Sequence, residues 1–259
     1  MRISAVIITF NEQDNIARCL SSLHEVADEI IVVDSFSNDN TKGIAESFDK
    51  VRFFSHEWLG YAEQKNFGNT LASHDVILSI DADECLSDEL SRNIKKLKEG
   101  EYDSRKVYSL SRLTNYCGSW IKHCGWYPDI KTRIFDRRKV RWQGEFVHER
   151  LELPEGAETI RLKGDLLHYS YNDTSSHVKQ IENFTNLTAK QALKDGKRIS
   201  VFGLWFRPKW KFFRDYVIKG GFLDGYAGYQ VCKLSAVATF LKYAKIREQR
   251  TKNLSDKQD

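Results

Sequence analysis

The sequence predicts an α/β chain: a doubly wound, mostly parallel, Rossmann-like sheet followed by an amphipathic helical extension. Two patterns carry this. The first hundred residues alternate short β-branched runs with helical ones in βαβαβαβ order, which calls for crossover connections and helices on both sheet faces. Beyond residue 200 the chain becomes aromatic and basic. Each polar loop of interest in the first half follows a strand, so these loops should gather at one sheet edge, where ligands of such folds bind.

Ile3–Phe10 reads as the first strand and Asn11 as the entry to a helix with Ile16, Leu20 and Leu23 on one face. Glu29–Val33 is a strand ending at Asp34, and a short helix follows near Lys42–Phe48. Val51–Phe54, a helix over Tyr61–Leu71 and the strand Val76–Ile80 complete the alternation. That last strand runs into Asp81, Asp83 and Glu84. Three acids at one strand tip repel one another unless a cation is present, and Ser87-Asp88-Glu89 then reads as an acidic helix start. Later strands are predicted at Lys106–Leu113, Lys131–Phe135 and Leu166–Tyr169, around an aromatic loop with Trp120, Trp126 and Tyr127. Asp173–Asp195 reads as a long helix stopped by Gly196, and Tyr226–Gln249 as the last helix.

Composition narrows the class. Of 259 residues, 41% are hydrophobic, enough for a proper core, and no apolar run approaches a membrane span. The N-terminus reads as a strand rather than a leader. Five cysteines without CxxC spacing point to reduced thiols and the cytosol; Cys117, His123 and Cys124 lack the second pair that a zinc site needs. The net charge of +4 is unevenly placed: Lys197–Asp259 holds 14 Lys/Arg against 5 Asp/Glu, or +9, leaving the remainder at −5. A nucleic-acid role does not suit an acidic first three quarters.

Neither GxxxxGK[ST] nor GxGxxG follows the first strand, so no P-loop or dinucleotide-binding domain is supported. The strand tips carry Thr9-Phe10-Asn11-Glu12, Asp34-Ser35-Phe36-Ser37-Asn38-Asp39-Asn40-Thr41 and Asp81-Ala82-Asp83. Together these resemble the family 2 glycosyltransferases of GT-A fold, most of all the small β-glucosyltransferases of the lipopolysaccharide inner core. Phe10 stands where the family's TYNE-type start has Tyr.

The resemblance implies an inverting transfer of a hexose, glucose from UDP-glucose, to a hydroxyl of a lipid-linked glycan. Asp34 would accept from the nucleotide base, with Thr9, Asn11, Glu12 and Ser35 lining the base and ribose pocket; Asn11 also reads as an ordinary helix N-cap. Asp83 would hold a divalent cation, Mg2+ or Mn2+, bridging the phosphates, and Asp81 would approach the ribose or sugar. Lys65, in a QKN segment, falls on the diphosphate side, or is a solvated helix lysine. Where many members have Glu-Asp, this chain has His148-Glu149: Glu149 is the expected general base and His148 a metal or diphosphate ligand, with Asp129 the rival base and a salt-bridged Glu149 the structural reading. Trp126, Tyr127 and His168 would lie on the acceptor side; His177 reads as structural.

The expected division is a catalytic domain at 1–200 and a basic, aromatic extension at 201–259. Trp and Phe interleaved with Lys and Arg suit either a buried helix pair or a helix on an anionic membrane surface; the resemblance, with its lipid-linked acceptor, implies the second, and with it a protein in the cytoplasm, peripheral on the inner face of the cytoplasmic membrane. The competing readings are a metal-dependent sugar nucleotidyltransferase and a non-catalytic nucleotide-sugar or glycan binder.

Overall fold

The computed structural model describes residues 1–144, 150–196 and 199–255, with side chains to residue 250. It divides into two compact units, Met1–Leu113 with Pro128–Tyr169, and Thr114–Tyr127 with the chain from Ser170 onward.

In the first unit, β1 (Ile3–Thr9), α1 (Ile16–Leu23), β2 (Glu29–Asp34), α2 (Thr41–Glu46), β3 (Val51–Ser55), α3 (Tyr61–Leu71) and β4 (Val76–Asp81) follow the predicted alternation. β5 (Glu84–Leu86) and α4 (Asp88–Glu99) come next. Ser87 caps α4, its hydroxyl accepting from Leu90 N–H at 3.3 Å, with Asp88 and Glu89 in the first turn, which favours the positive end of the helix dipole. The sheet is completed by β6 (Lys106–Tyr116), whose end reaches into the second unit beside β7 (Ser119–Ile121), and by β8 (Asp129–Asp136). β9 (Arg141–Gln143) and β10 (Arg150–Glu152) form a separate ribbon, and β11 (Glu158–Tyr171) closes the order β3-β2-β1-β4-β8-β6-β11-β5.

The pairs β3/β2, β2/β1 and β1/β4 are parallel; β4/β8, β8/β6 and β11/β5 are antiparallel. The crossover-linked half is thus the parallel half. Side-chain alternation builds a core on each face. Ile3, Ala5 and Ile7 of β1, Ile30 and Val32 of β2 and Leu78 and Ile80 of β4 meet Ile16, Leu20 and Leu23 of α1 and Leu90 and Ile94 of α4. Val6, Ile31, Val33 and Ile77 point the other way, toward Ala62 of α3 and Phe135 and Trp142. Gly68 lets α3 approach: a Cβ there would lie 2.5 Å from Val6.

β11 is far longer than the predicted Leu166–Tyr169. Its first half alternates Ile160 and Leu162, packed on the core, with Arg161 and Lys163, a half-exposed strand with no apolar run to reveal it.

In the second unit, α5 (Thr174–Lys194) is capped by Asp173, whose Oδ1 accepts from Ser176 N–H at 2.6 Å, and ends before Gly196 at φ +66°. Then come α6 (Val201–Phe213), a π turn (Arg214–Ile218), a 3-10 turn (Gly221–Asp224) and α7 (Gly225–Ser255). Compactness divides the chain elsewhere than at 200/201, because Ala189 and Ala192 of α5 are buried with Ile246 of α7. Among the described residues no helix is long and apolar enough to cross a membrane.

Candidate active site

The sheet register sets the site. Thr9 at the end of β1 lies beside Asp34 at the end of β2, and Ile8 beside Asp81 at the end of β4. Three of the predicted residues therefore share one edge. Asp34 is buried, and a buried carboxylate needs donors: it accepts from Ser37 N–H at 2.8 Å and from the Ser37 hydroxyl.

The loops after β1 and β2 are stitched together. Asn11 sits in the left-handed region at φ +54°, donates its N–H to Ser37 Oγ at 2.8 Å and accepts from Asn38 N–H at 2.9 Å. Glu12 N–H donates to Thr41 Oγ1 at 2.8 Å, and Thr41 in turn to Asp39 at 2.5 Å. Asn11 is therefore not the cap of α1, which begins five residues later after Asn15; the loop-to-loop bonds claim it instead. The polar D-S-x-S-x-D-x-T run is in large part the scaffold of this edge. Phe10 and Phe36 stand exposed on the same two loops, flat faces suited to a base. Their signal in the sequence was an aromatic residue inside an otherwise polar turn.

Ser35 Oγ accepts from Gln64 Nε2 at 2.9 Å, and Gln64 Oε1 lies 2.9 Å from His56 Nδ1. His56 N–H donates to the Asp34 carbonyl at 2.8 Å, and its ring stacks on Phe67 at 3.8 Å. This supporting layer behind Asp34 and Ser35 was not read from the sequence. Lys65 is not a solvated helix lysine: only 2% exposed, its Nζ lies 3.1 Å from Asp81 Oδ1 and 4.6 Å from the centre of the Trp142 ring.

The acids after β4 part company. Asp81 Oδ2 accepts from Arg133 at 2.9 Å. The same guanidinium holds Glu84 at 2.8 and 2.9 Å, and Arg112 reaches Glu84 at 3.3 Å and Asp129 at 2.6 Å. Lys131 closes the row 3.2 Å from Asp129. Burial pushes the Asp81 carboxyl up, but Arg133 and Lys65 outweigh it and hold the group well below the usual carboxylate range. Arg112 and Lys131 likewise overcome burial at Asp129 and lower it. Asp83 takes another course. Its Oδ2 lies 3.1 Å from His168 Nε2, brought there by the antiparallel pairing of His168 with Glu84, and it meets no Lys or Arg among the described residues.

A scan of family models matches glycosyl transferase family 2 over residues 4–147, more than half of the chain. A Rickettsia felis protein described as an uncharacterised glycosyltransferase is 32% identical over 95% of this chain and 90% of its own length. The lipopolysaccharide core biosynthesis glycosyltransferase LpsC of Rhizobium meliloti is 31% identical over 94% of this chain and 91% of its own. The chain belongs to glycosyltransferase family 2. Among solved structures, S. aureus TarS 1–349 in complex with UDP-GlcNAc aligns over 96% of this chain and 92% of that one, at 14% identity and a TM-score of 0.48.

For a family 2 enzyme the question at this edge is whether the acids fit a divalent cation. Both oxygens of Asp81 and both of Glu84 are already engaged by Lys65 and Arg133, so protein cations relieve their repulsion. Among the described residues no cluster of three or more His, Cys, Asp or Glu surrounds a metal position. Asp83 is the carboxylate here that fits the way Mg2+ is commonly held, by one or two carboxylates plus substrate phosphates; its Oδ2 meets His168 Nε2 at 3.1 Å, a hydrogen-bond distance. His168, expected on the acceptor side, thus stands against the DxD aspartate. Tyr169 follows it, its N–H donating to the Asp83 carbonyl at 2.8 Å and its ring under the Arg18 guanidinium at 3.7 Å.

His148 and Glu149 fall outside the described residues. Trp126 and Tyr127 belong to the second unit, where the Trp126 ring lies 5.8 Å from Tyr171 and 6.0 Å from His177. His177 is buried among these rings, and burial lowers it to about 4, as a structural histidine.

Glu12 makes the edge pH-sensitive. Burial first, then the charges of Asp83 and Asp39, push its carboxyl from 4.5 up to about 7, against the opposing hydrogen bond from Asn15 at 2.8 Å. The folded state then binds a proton that the unfolded state has lost, so stability falls as pH rises from about 4.5 to 7. Glu12→Gln is expected to flatten that slope and to melt above the parent at pH 8, with little difference at pH 4.5. Thermal melts at both pH values check it; parallel curves would show an ordinary carboxylate.

Proposed function

We propose that this family 2 glycosyltransferase performs an inverting transfer of a hexose, glucose from UDP-glucose, to a hydroxyl of a lipid-linked glycan of the lipopolysaccharide-core type. It would meet that acceptor at the inner face of the cytoplasmic membrane, with the cationic second unit toward the anionic surface. The observation that carries this reading is the meeting of Thr9, Asp34, Asp81 and Asp83 at one sheet edge, with Asp83 the acid that no Lys or Arg among the described residues engages. The printed name of LpsC supports the acceptor class.

The base of the donor stands against Asp34, whose hydrogen bonds to Ser37 fix the carboxylate, and Phe10 or Phe36 covers its face. Asn11, Glu12 and Ser35 line the ribose side. Asp81, oriented by Lys65 and Arg133, faces the sugar. Asp83 and His168 would hold Mg2+ or Mn2+, which when bound stabilises the charge of the leaving diphosphate. The acceptor hydroxyl must lose its proton as it attacks the anomeric carbon. Asp129 is poorly suited to take it, because Arg112 and Lys131 occupy its oxygens and lower its affinity for a proton. That supports Glu149 as the base, with His148 beside it on the metal or diphosphate side and Trp126 and Tyr127 toward the acceptor.

UDP release across a panel of UDP-sugars, with a lipid-linked core glycan and with or without Mn2+, tests the proposal. Acceptor-dependent release highest with UDP-glucose is expected, and Glu149→Gln should lose it while Asp129→Asn retains most. Pyrophosphate release from UTP and a sugar phosphate would favour a nucleotidyltransferase, and donor binding without turnover a mere binder.

A further inference from the structure

Helices α6 and α7 of the second unit leave an open groove of about 440 Å³ between them. Leu204, Lys209 and Phe212 line it from α6, and Lys233, Ala236 and Phe240 from α7. On the adjoining face of α6, Phe202, Phe206, Trp210 and Phe213 form one exposed file, their ring centres 5.5, 6.4 and 5.9 Å apart in succession. The spacing i, i+4, i+8, i+11 keeps all four within one stripe.

Charge identifies what the groove takes. Between residues 201 and 246 the sequence has two acids, Asp215 and Asp224. Asp215 is occupied by Lys211 at 2.5 Å and Arg214 at 2.8 Å, and Asp224 by His123 at 2.7 Å. Lys209 and Lys233 instead lie over aromatic rings, 5.3 Å from Trp205 and 5.8 Å from Phe212, without a carboxylate partner among the described residues. An apolar trough with two lysines in its lining matches an acyl chain with an anionic head. A helical peptide fits poorly: at about 10 Å diameter a single turn would fill the volume.

We propose that this groove seats one acyl chain of an anionic phospholipid of the bilayer, with Lys209 and Lys233 at its phosphate, while the aromatic file lies in the interface. This deepens the membrane-surface part of the proposed function and does not depend on the identity of the donor.

The test is a titration of dioctanoyl-phosphatidylglycerol, kept below its micellar concentration, into the full chain, followed by tryptophan fluorescence. Saturable binding at one lipid per chain is expected, with dioctanoyl-phosphatidylcholine clearly weaker. Ala236→Trp should fill the groove and weaken binding about tenfold, the loss of roughly two buried methylenes. The double variant Phe202→Ser/Trp210→Ser should keep monomer binding but lose sedimentation with phosphatidylglycerol vesicles. Non-saturable binding, equal binding of the two lipids, or an Ala236→Trp variant that folds normally and binds like the parent would each overturn the proposal. UDP release measured on the same samples separates a failed groove from a failed active site.

Discussion

Replacing Arg133 with Met is expected to lower the unfolding free energy by about 3–5 kcal/mol, read as a large drop in the urea midpoint. Arg133 is 3% exposed and its guanidinium bonds Asp81 and both oxygens of Glu84, itself 1% exposed. Removing it leaves a buried carboxylate whose remaining ion-pair partner is Arg112 at 3.3 Å. Removing both sides of a buried pair is far milder than removing one, so Arg133→Met with Glu84→Leu should recover much of the loss. The sign of the pH dependence follows from Asp81. Its folded carboxyl is depressed, so its contribution is complete above the unfolded value of about 3.9 and fades as pH falls below that. The midpoint difference between parent and Arg133→Met should therefore shrink on acidification below about pH 4. A variant as stable as the parent at pH 7 would mean that the pair contributes no net stability.

Arg133 also shows where the sequence was legible and where it was not. The strand tips Thr9, Asp34 and Asp81 could be placed on one edge because parallel crossover topology leaves little choice once the alternation is seen. Three adjacent acids could be read as needing positive charge, but the source of that charge could not. Arg133 and Arg112 come from strands β8 and β6, whose antiparallel register with the sheet is a tertiary fact. The same holds for His168: no spacing in the chain links it to Asp83, which is 85 residues earlier, until β11 pairs with β5. Lys65 reads as a surface residue on helical pattern alone; only the packing of α3 and Trp142 buries it. Asn11 has the composition of a cap, and the alternative partner that claims it, Asn38, lies on another loop.

Asp83→Asn is expected to leave the fold intact and to reduce turnover by about 10²–10³, the size of effect seen when one preorganised charge-stabilising group is removed from an active site. The reasoning rests on the contrast with its neighbours. Asp81 and Glu84 are held by Lys65 and Arg133, so substituting either disturbs a buried network and confounds stability with chemistry. Asp83 is about as exposed as Asp81, but its side-chain partner is His168 and it takes no part in that Lys65–Arg133 network; exchanging it should shift the urea midpoint little. If Asp83 and His168 together hold the cation, Asp83→Asn and His168→Ala should each raise the Mn2+ concentration needed for half-maximal UDP release, and the double variant should add little to the worse single one. Chelation of the parent enzyme should produce the same loss, restored by adding metal back. The distinguishing outcome is the metal titration. A variant that loses turnover at every metal concentration, with an unchanged half-saturation point, would place Asp83 in direct contact with the sugar and leave His168 as its hydrogen-bonding support.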